Sequence, residues 1–409
     1  MKAGYLSEFF TGVAMKTLSA VEVDQARSNQ HEYNGDKGLI QVFGEATDKH
    51  RFDALYIYLS DNDDEPVVAK GTLTWYDARK NHPTRTEHRL YFPTNQVSMI
   101  AAEGDLLVVG RRPDNSVLVI IAQGGSTIAS QVQWLFSVQL GHKGFSVREE
   151  LETEQDRIQF ASAFILEQLG IEPDAPAAAE NYLDIMLEKF GGRMPTTDLF
   201  STYARSTVPD LDPVVDPDAA LLGWMEREEI LFRTMEKHLL GDQLRKGFVD
   251  DVDGFIAFSL SVQNRRKSRS GHALENHLEV VFTANGLRYE RGVATEGKAK
   301  PDFLFPGSRE YRDLRYDAAL LTMLGAKTTC KDRWRQVLAE AKRIDRKHLL
   351  TLEAAISTHQ TDQMREHSLQ LVIPRGLHGT FTPAQQLTLL DMASFTAMVR
   401  EREQRAGAA

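Results

Sequence analysis

The 409-residue chain has a single cysteine, Cys330, so no disulfide can form within it, which suits a reducing cytoplasm. Long apolar runs are also missing. No stretch approaches membrane-spanning length and the first residues lack the basic-then-apolar pattern of a secretory leader, so a membrane location is not expected. Positive charge is in deficit: 48 Lys and Arg stand against 58 Asp and Glu, a net charge of −10 that disfavours indiscriminate binding to a phosphate polymer. The distribution says more than the sum. From Lys327 to Lys347 there are eight basic residues against three acidic ones, and Arg265, Arg266, Lys267 and Arg269 form a second basic cluster. Such clusters can attract phosphate locally, although many are only solvated faces. Repeats and low-complexity tracts are absent, and 42% hydrophobic with 9% aromatic residues is enough to fill the cores of two or three domains.

Residues 1 to about 150 read as β-rich. The runs Leu39–Phe43, Phe52–Leu59, Val67–Tyr76, Asp105–Val109 and Ser116–Ile121 are alternating or apolar, and Gly, Asn, Asp and Pro turns separate them, which predicts a barrel or sandwich. Within this part Thr84–Arg89 is a polar stretch before Leu90, expected on a loop or at a strand mouth. Its arginines can pair with guanine edges and its Glu87 can accept from cytosine; a surface ion-pair cluster is the competing reading. Gln155–Leu169 reads as a helix, and the Pro- and Ala-rich stretch after it marks a boundary. The expected division is a domain over 1–172, a linker over 173–180 and a second domain over 181–409. The second domain opens with helices at Tyr182–Phe190 and Glu226–Leu240, separated by a loop at Val208–Pro217.

The most informative stretch runs from Glu275 to Glu340. After Gly271, Leu274, Leu278, Val281 and Phe282 recur at helical spacing and stop at Asn285-Gly286, with Glu275 beside the apolar stripe. Asp302 stands at the mouth of a short buried strand, Phe303–Phe305, which Pro306-Gly307 ends. A second apolar run, Ala318–Ala326, carries Lys327 at its end. Trp334, Val337, Leu338 and Ala341 then mark one face of a helix for which Thr329 is a plausible cap, flanked by Lys331 and Glu340. Further strands are expected at His348–Leu352 and Leu369–Pro374, and a closing helix at Pro383–Arg400. Taken singly, each polar residue is more often solvated than functional. Together, two carboxylates and an amine in this order suit a Mg²⁺ site for cutting phosphodiesters, since the carboxylates hold the cation and the ammonium steadies charge on phosphorus.

At these residues the chain resembles a known family. Ser261–Arg269, Thr295-Glu-Gly, Lys300-Pro-Asp-Phe-Leu-Phe-Pro and Lys327-Thr-Thr-Cys-Lys-Asp-Arg-Trp-Arg-Gln are similar to the catalytic domain of the EcoRII restriction endonuclease family. The resemblance is strong from Leu239 to His348 and thinner from Tyr182 to Arg400. It implies an α+β multidomain protein whose C-terminal part is an α/β/α restriction-endonuclease-like domain of the PD-(D/E)xK kind. It places Asp302, Lys327, Glu275 and Tyr311 at the active site, with Lys331 and Glu340 as further members and Asp302 with Glu275 or Glu340 on the metal. Position 325 is Gly where the commoner pattern has an acid, so the second carboxylate must come from elsewhere. Arg85, Glu87 and Arg89 match a recognition segment in the family's amino-terminal DNA-binding pseudobarrel, where two lysines correspond to Pro83 and His88 here, and His31 matches a DNA-contacting histidine. The helix at Glu226–Leu240 aligns with one that reaches a flipped base, but Met225 and Glu229 replace the residues concerned, so no base-flipping role is assigned.

The implied function is a Mg²⁺-dependent type II endonuclease that cuts double-stranded DNA at a short CC(A/T)GG-like palindrome as a homodimer. Arg265, Arg266, Lys267 and Arg269 would contact the site, and the amino-terminal domain would block the cleft until it binds a second copy. A cytosine methyltransferase acting on the same site is the implied functional partner. Two other readings keep the same residues: a nuclease for repair or for modified DNA, and a catalytically inert DNA-binding regulator.

Overall fold

The computed structural model describes residues 6–23, 31–46, 48–61, 66–82, 84–136, 140, 144–148, 180–248, 251–296, 299–328, 334–354 and 356–408. The expected helix at Gln155–Leu169, the linker up to residue 179, Thr329, Cys330 and Lys331 lie outside them, as does the side chain of Lys267. The chain forms two compact units. One is Met1–Asp174 with Ala354–Thr358 and Gly379–Pro383, and the other holds the remaining residues from Ala175 onward.

The first unit is built on an eight-stranded sheet in the order β2-β5-β4-β3-β7-β6-β1-β8. In chain order these strands are β1 (Gly12–Thr17), β2 (Glu32–Gly35), β3 (His50–Leu59), β4 (Val67–Asp77), β5 (His88–Tyr91), β6 (Leu106–Arg111), β7 (Val117–Ala122) and β8 (Ser146–Arg148). Neighbours are antiparallel except β3 and β7. Strand β7 is buried along its whole length because both faces of the sheet are covered. Leu118 and Ile120 face a core shared with Val132 and Phe136 of the helix Thr127–Phe136. Val117, Val119 and Ile121 face a second core with Leu39 and Val42.

Leu39–Phe43, expected to be a strand, is instead part of helix α1 (Lys37–Phe43). Asp36 decides this, because its carboxylate accepts the Gly38 and Leu39 N–H groups at 2.9 and 3.2 Å and caps the helix. The same carboxylate accepts the Phe145 N–H next to β8. Both edges of the sheet therefore approach α1, and the sheet curls around it. Gly38 makes the approach possible, since a Cβ there would stand 2.6 Å from the Phe145 carbonyl oxygen.

The second unit has a five-stranded sheet in the order β13-β12-β11-β10-β9. Its strands are β9 (Glu290–Arg291), β10 (Phe303–Phe305), β11 (Thr322–Lys327), β12 (Lys347–Thr351) and β13 (Leu369–Val372). The last three run parallel, whereas β10 is antiparallel to both of its neighbours. The helices expected around Glu226–Leu240 and after Gly271 are longer than the pattern suggested: α2 spans Pro217–Lys246 and α3 spans Val252–Ala284. Phe282 of α3 lies edge-on to Phe303 and Phe305 at 5.1 Å each, which anchors the helix on β10. Burying one such ring contributes about 1.5–3 kcal/mol.

Two expected helices are shorter. The one over Trp334–Ala341 ends at Leu338, and Ala341 takes φ 45° where the chain turns toward β12. The closing helix is split into Pro383–Gln386 and Met392–Ala408, because Leu390 leaves the helical path to bridge Val372 at the sheet edge.

Candidate active site

The antiparallel pairing of β10 with β11 sets Phe303 across from Leu324, which brings the residue before β10 to the end of β11. There Asp302 Oδ2 accepts the Ala326 N–H at 2.7 Å and the Lys327 ammonium at 2.7 Å. The two side chains are 16% and 23% exposed, so the pair is partly shielded from water yet still reachable by a ligand. Gly325 gives the strand no acid here, and Glu340, whose carboxyl feels the Asp302 charge, is the nearby one. Burial first, and then the Asp302 carboxylate, push Glu340 up to about 7 against the pull of Lys327 and Lys347. Its Oε2 is buried with no hydrogen-bond partner among the described residues.

An unpartnered buried carboxylate oxygen beside a second carboxylate is unfavourable by itself and is relieved by a cation. Asp302 and Glu340 therefore fit Mg²⁺, which takes one or two carboxylates and completes its shell with water and phosphate oxygens. Among the described residues no group of three or more His, Cys, Asp or Glu side chains could hold a metal, so such a site would rest on this pair.

Glu275 is placed differently. Its Oε2 accepts Nε and Nη2 of Arg291 at 3.0 and 2.7 Å, while Nη1 of the same guanidinium reaches Asn276 Oδ1 at 2.9 Å and Glu279 Oε2 at 2.6 Å. Arg291 lies on β9 opposite Phe303, so it ties α3 to the strand that Asp302 precedes. Tyr311 is 5% exposed and donates its hydroxyl to Glu296, and burial followed by this bond pushes its pKa up to about 12. Lys347, 8% exposed at the start of β12, is held low by burial against the charges of Asp345, Glu296 and Glu340. Sequence reasoning did not single out Arg291, Glu296 or Lys347. For Glu296 a signal existed, since it sits in one of the runs that carry the family resemblance.

The basic run on α3 is not uniformly exposed. Arg265 is exposed and Arg266 pairs with Glu236 at 2.8 Å. Arg269 turns inward: it is 8% exposed, with its guanidinium 4.4 Å from the Phe200 ring centre. The expectation that the whole run faces DNA is corrected for Arg269, which lies on the same side of α3 as Arg265 but one turn further on, where Phe200 and Phe232 cover it. In the first unit Arg85 is exposed, His31 lies 3.4 Å from Thr94 Oγ1, and Glu87 pairs with both Arg79 and Arg89. These pairs, Arg89 foremost, hold the Glu87 carboxyl below its ordinary value. His88 is corrected in the same way as Arg269. Strand alternation points it inward, where Nε2 accepts the Ala46 N–H at 3.1 Å and the ring stacks on Trp75.

Comparison with known proteins finds relatives over the part of the chain that holds these residues. Residues 232–396 match the family model described as EcoRII C terminal. The type II restriction enzyme EcoRII of Escherichia coli is 42% identical over 221 residues, which cover 54% of this chain and 54% of that enzyme. The match thus spans about half the length of the relative. Among solved structures, metal-depleted Ecl18kI in complex with uncleaved, modified DNA has a TM-score of 0.45 at 17% identity, covering 56% of this chain and 85% of that one. The complex of restriction endonuclease PspGI with substrate DNA has a TM-score of 0.44 at 14% identity, covering 52% and 94%. Most of the segment that matches the family model lies in the second unit. Residues 232–396 are thus similar to the EcoRII C-terminal family.

Proposed function

We propose that the chain is a Mg²⁺-dependent type II restriction endonuclease that hydrolyses double-stranded DNA at a short CC(A/T)GG-like palindrome. It acts as a homodimer, whose twofold symmetry matches that of the site. The first unit senses a second copy of the site and restrains cleavage until it is bound, and a cytosine methyltransferase protects the same sequence. The observation that carries this reading is the Asp302–Lys327 contact with Glu340 beside it.

Asp302 and Glu340 would hold Mg²⁺, which when bound polarises the phosphate and lowers the pKa of a coordinated water. The protein's own groups do the rest. Lys327, fixed by Asp302, presents an ammonium that orients the attacking water and balances the charge developing on phosphorus. Glu275, gripped by Arg291, holds α3 in register with β9 and remains available as a further carboxylate if a ligand draws Arg291 away. Lys331 assists from the stretch after β11, and Arg265 and Arg266 meet phosphates along α3. In the first unit Arg85 and Arg89, with Glu87 and His31, line the effector-DNA surface.

Cleavage of supercoiled plasmid in Mg²⁺ tests the assignment. Asp302→Ala and Lys327→Ala are each expected to lose at least about 100-fold in rate, the scale of removing a group that stabilises transition-state charge. Wild-type rates in both variants would reject the site. In the same assay, methylated substrate is expected to resist cutting and removal of residues 1–172 to speed cutting of single-site DNA. Preference for methylated DNA would favour the modification-dependent reading instead.

A further inference from the structure

The chain segment that carries Glu340 is held by side chains whose role in the reaction the site geometry alone does not explain. Helix Trp334–Leu338 stops early, and two residues past Glu340 the backbone N–H of Lys342 donates to Glu296 Oε2 at 3.2 Å. The next N–H, that of Arg343, donates to the Tyr311 hydroxyl oxygen at 3.1 Å. Tyr311 in turn donates its proton to the other oxygen of Glu296, so one carboxylate and one phenol together take two consecutive amides. Arg343 returns the grip: its guanidinium donates to the carbonyl oxygens of Glu310, Tyr311 and Tyr316.

Between Glu340 and these amides lies Ala341 at φ 45°, in the left-handed region that a non-glycine residue occupies at a cost of about 1–2 kcal/mol. Such a turn persists only where its surroundings over-determine it. Glu296 precedes Asp302 by six residues, so the carboxylate that fixes the Glu340 turn belongs to the same chain segment as the other acid of the site. Neither Glu296 nor Tyr311 makes a contact with Asp302 or Lys327 among the described hydrogen bonds and ion pairs.

We infer that Glu296 and Tyr311 are positioning residues that fix the left-handed turn at Ala341 and so hold the Glu340 carboxylate beside Asp302, where the two would share a divalent cation. This rests on the proposed Mg²⁺ site and adds what holds one of its ligands in place. Tyr311 then acts through the Lys342–Arg343 backbone and not on the scissile phosphate. Groups outside the ligand set that orient a metal ligand commonly change metal affinity about 10–100-fold when lost.

The test uses the full chain with Glu296→Gln, Tyr311→Phe and Glu340→Ala. Two quantities are read: Mn²⁺ bound to the protein, followed as loss of the free-ion electron paramagnetic resonance signal, and the Mg²⁺ concentration giving half-maximal plasmid cleavage. Tyr311→Phe is expected to weaken Mn²⁺ binding and raise the Mg²⁺ requirement about tenfold, with the maximal rate recovered at high Mg²⁺. Glu296→Gln keeps an acceptor for the Lys342 N–H and is expected to fall between Tyr311→Phe and the wild type. If Glu340→Ala weakens Mn²⁺ binding while Glu296→Gln and Tyr311→Phe leave it unchanged, the positioning role is overturned and the metal site stands. If Tyr311→Phe lowers the maximal rate at every Mg²⁺ concentration without altering the requirement, Tyr311 works on the substrate and the inference fails. If Glu340→Ala itself leaves both readings at wild-type values, the proposed metal site fails, and the positioning role with it.

Discussion

Val337 fills the space into which a side chain on Gly325 would project: a Cβ on Gly325 would stand 2.9 Å from Val337 Cγ2 and 3.3 Å from Cγ1. Gly325 is on β11 two residues before Lys327, and Val337 is fully buried on the helix that leads to Glu340. The absence of an acid on the strand and the presence of one beyond the helix are therefore linked. The helix packs against the strand where a strand side chain would otherwise stand, and three residues later it delivers Glu340 beside Asp302.

That packing makes Gly325→Ala a sharp probe. Val337 is β-branched and buried, so it cannot swing away freely, and the added methyl is expected to cost about 1–3 kcal/mol. Urea unfolding of the full chain would measure it. Adding Val337→Ala opens the space and is expected to make the Gly325→Ala change cheaper by at least about 1 kcal/mol than in the wild-type background. Equal costs in both backgrounds would separate the two residues.

Glu340 leads to a pH dependence with a definite sign. Its carboxyl is raised from 4.5 to about 7, so the folded, metal-free protein binds its proton more tightly than the unfolded chain does. The associated stability is fully present below pH 4.5 and is lost as pH rises through about 7. Glu340→Gln removes that loss and is expected to stabilise the metal-free protein at pH 8 by about 1 kcal/mol, a figure discounted for partial solvent exposure. Mg²⁺ competes with the same proton, so the Mg²⁺ needed for half-maximal cleavage should rise as pH falls below 7 and level off above it. A flat requirement from pH 6 to pH 8.5 would remove Glu340 from the ligand set.

How much of this could be read from residues alone depended on whether the deciding partner was local. Phe52–Leu59 and the run ending at Ile121 announce strands because apolar residues fill them, and they are β3 and β7. Leu39–Phe43 has similar content but is helical. In so short a run periodicity cannot decide, and the deciding residue was Asp36, one position before the helix. The closeness of Asp302 and Lys327 was legible because each stands at the end of an apolar run that must be buried, and two such runs pair readily. Glu296 was not legible as a support for Glu340, since the N–H it accepts lies 46 residues further on, in a turn that no local pattern marks. Arg269 and His88 misled because composition gives the charge of a segment but not which of its side chains distant residues cover, here Phe200 and Phe232 for the one and Trp75 for the other.

The split between Arg265 and Arg269 gives the last test, because two arginines four positions apart on α3 should fail in opposite ways. Arg269 stacks on Phe200 at 4.4 Å and on Phe232 at 5.0 Å, donates to the Pro195 carbonyl oxygen at 3.3 Å, and has its pKa lowered chiefly by burial. Arg269→Ala removes those contacts and leaves a gap among aromatic rings, for an expected loss of about 2 kcal/mol in unfolding free energy. Arg265 is exposed, so Arg265→Ala should leave stability within about 0.5 kcal/mol. Its effect should appear in DNA binding: if Arg265 meets a phosphate, its loss weakens affinity for all sequences alike and reduces the slope of log affinity against log salt by about one. Filter binding at several salt concentrations, paired with urea unfolding, separates the two. An unchanged salt slope for Arg265→Ala would take α3 off the DNA backbone at that point, and an unchanged stability for Arg269→Ala would show that its buried guanidinium gives the helix pair no support.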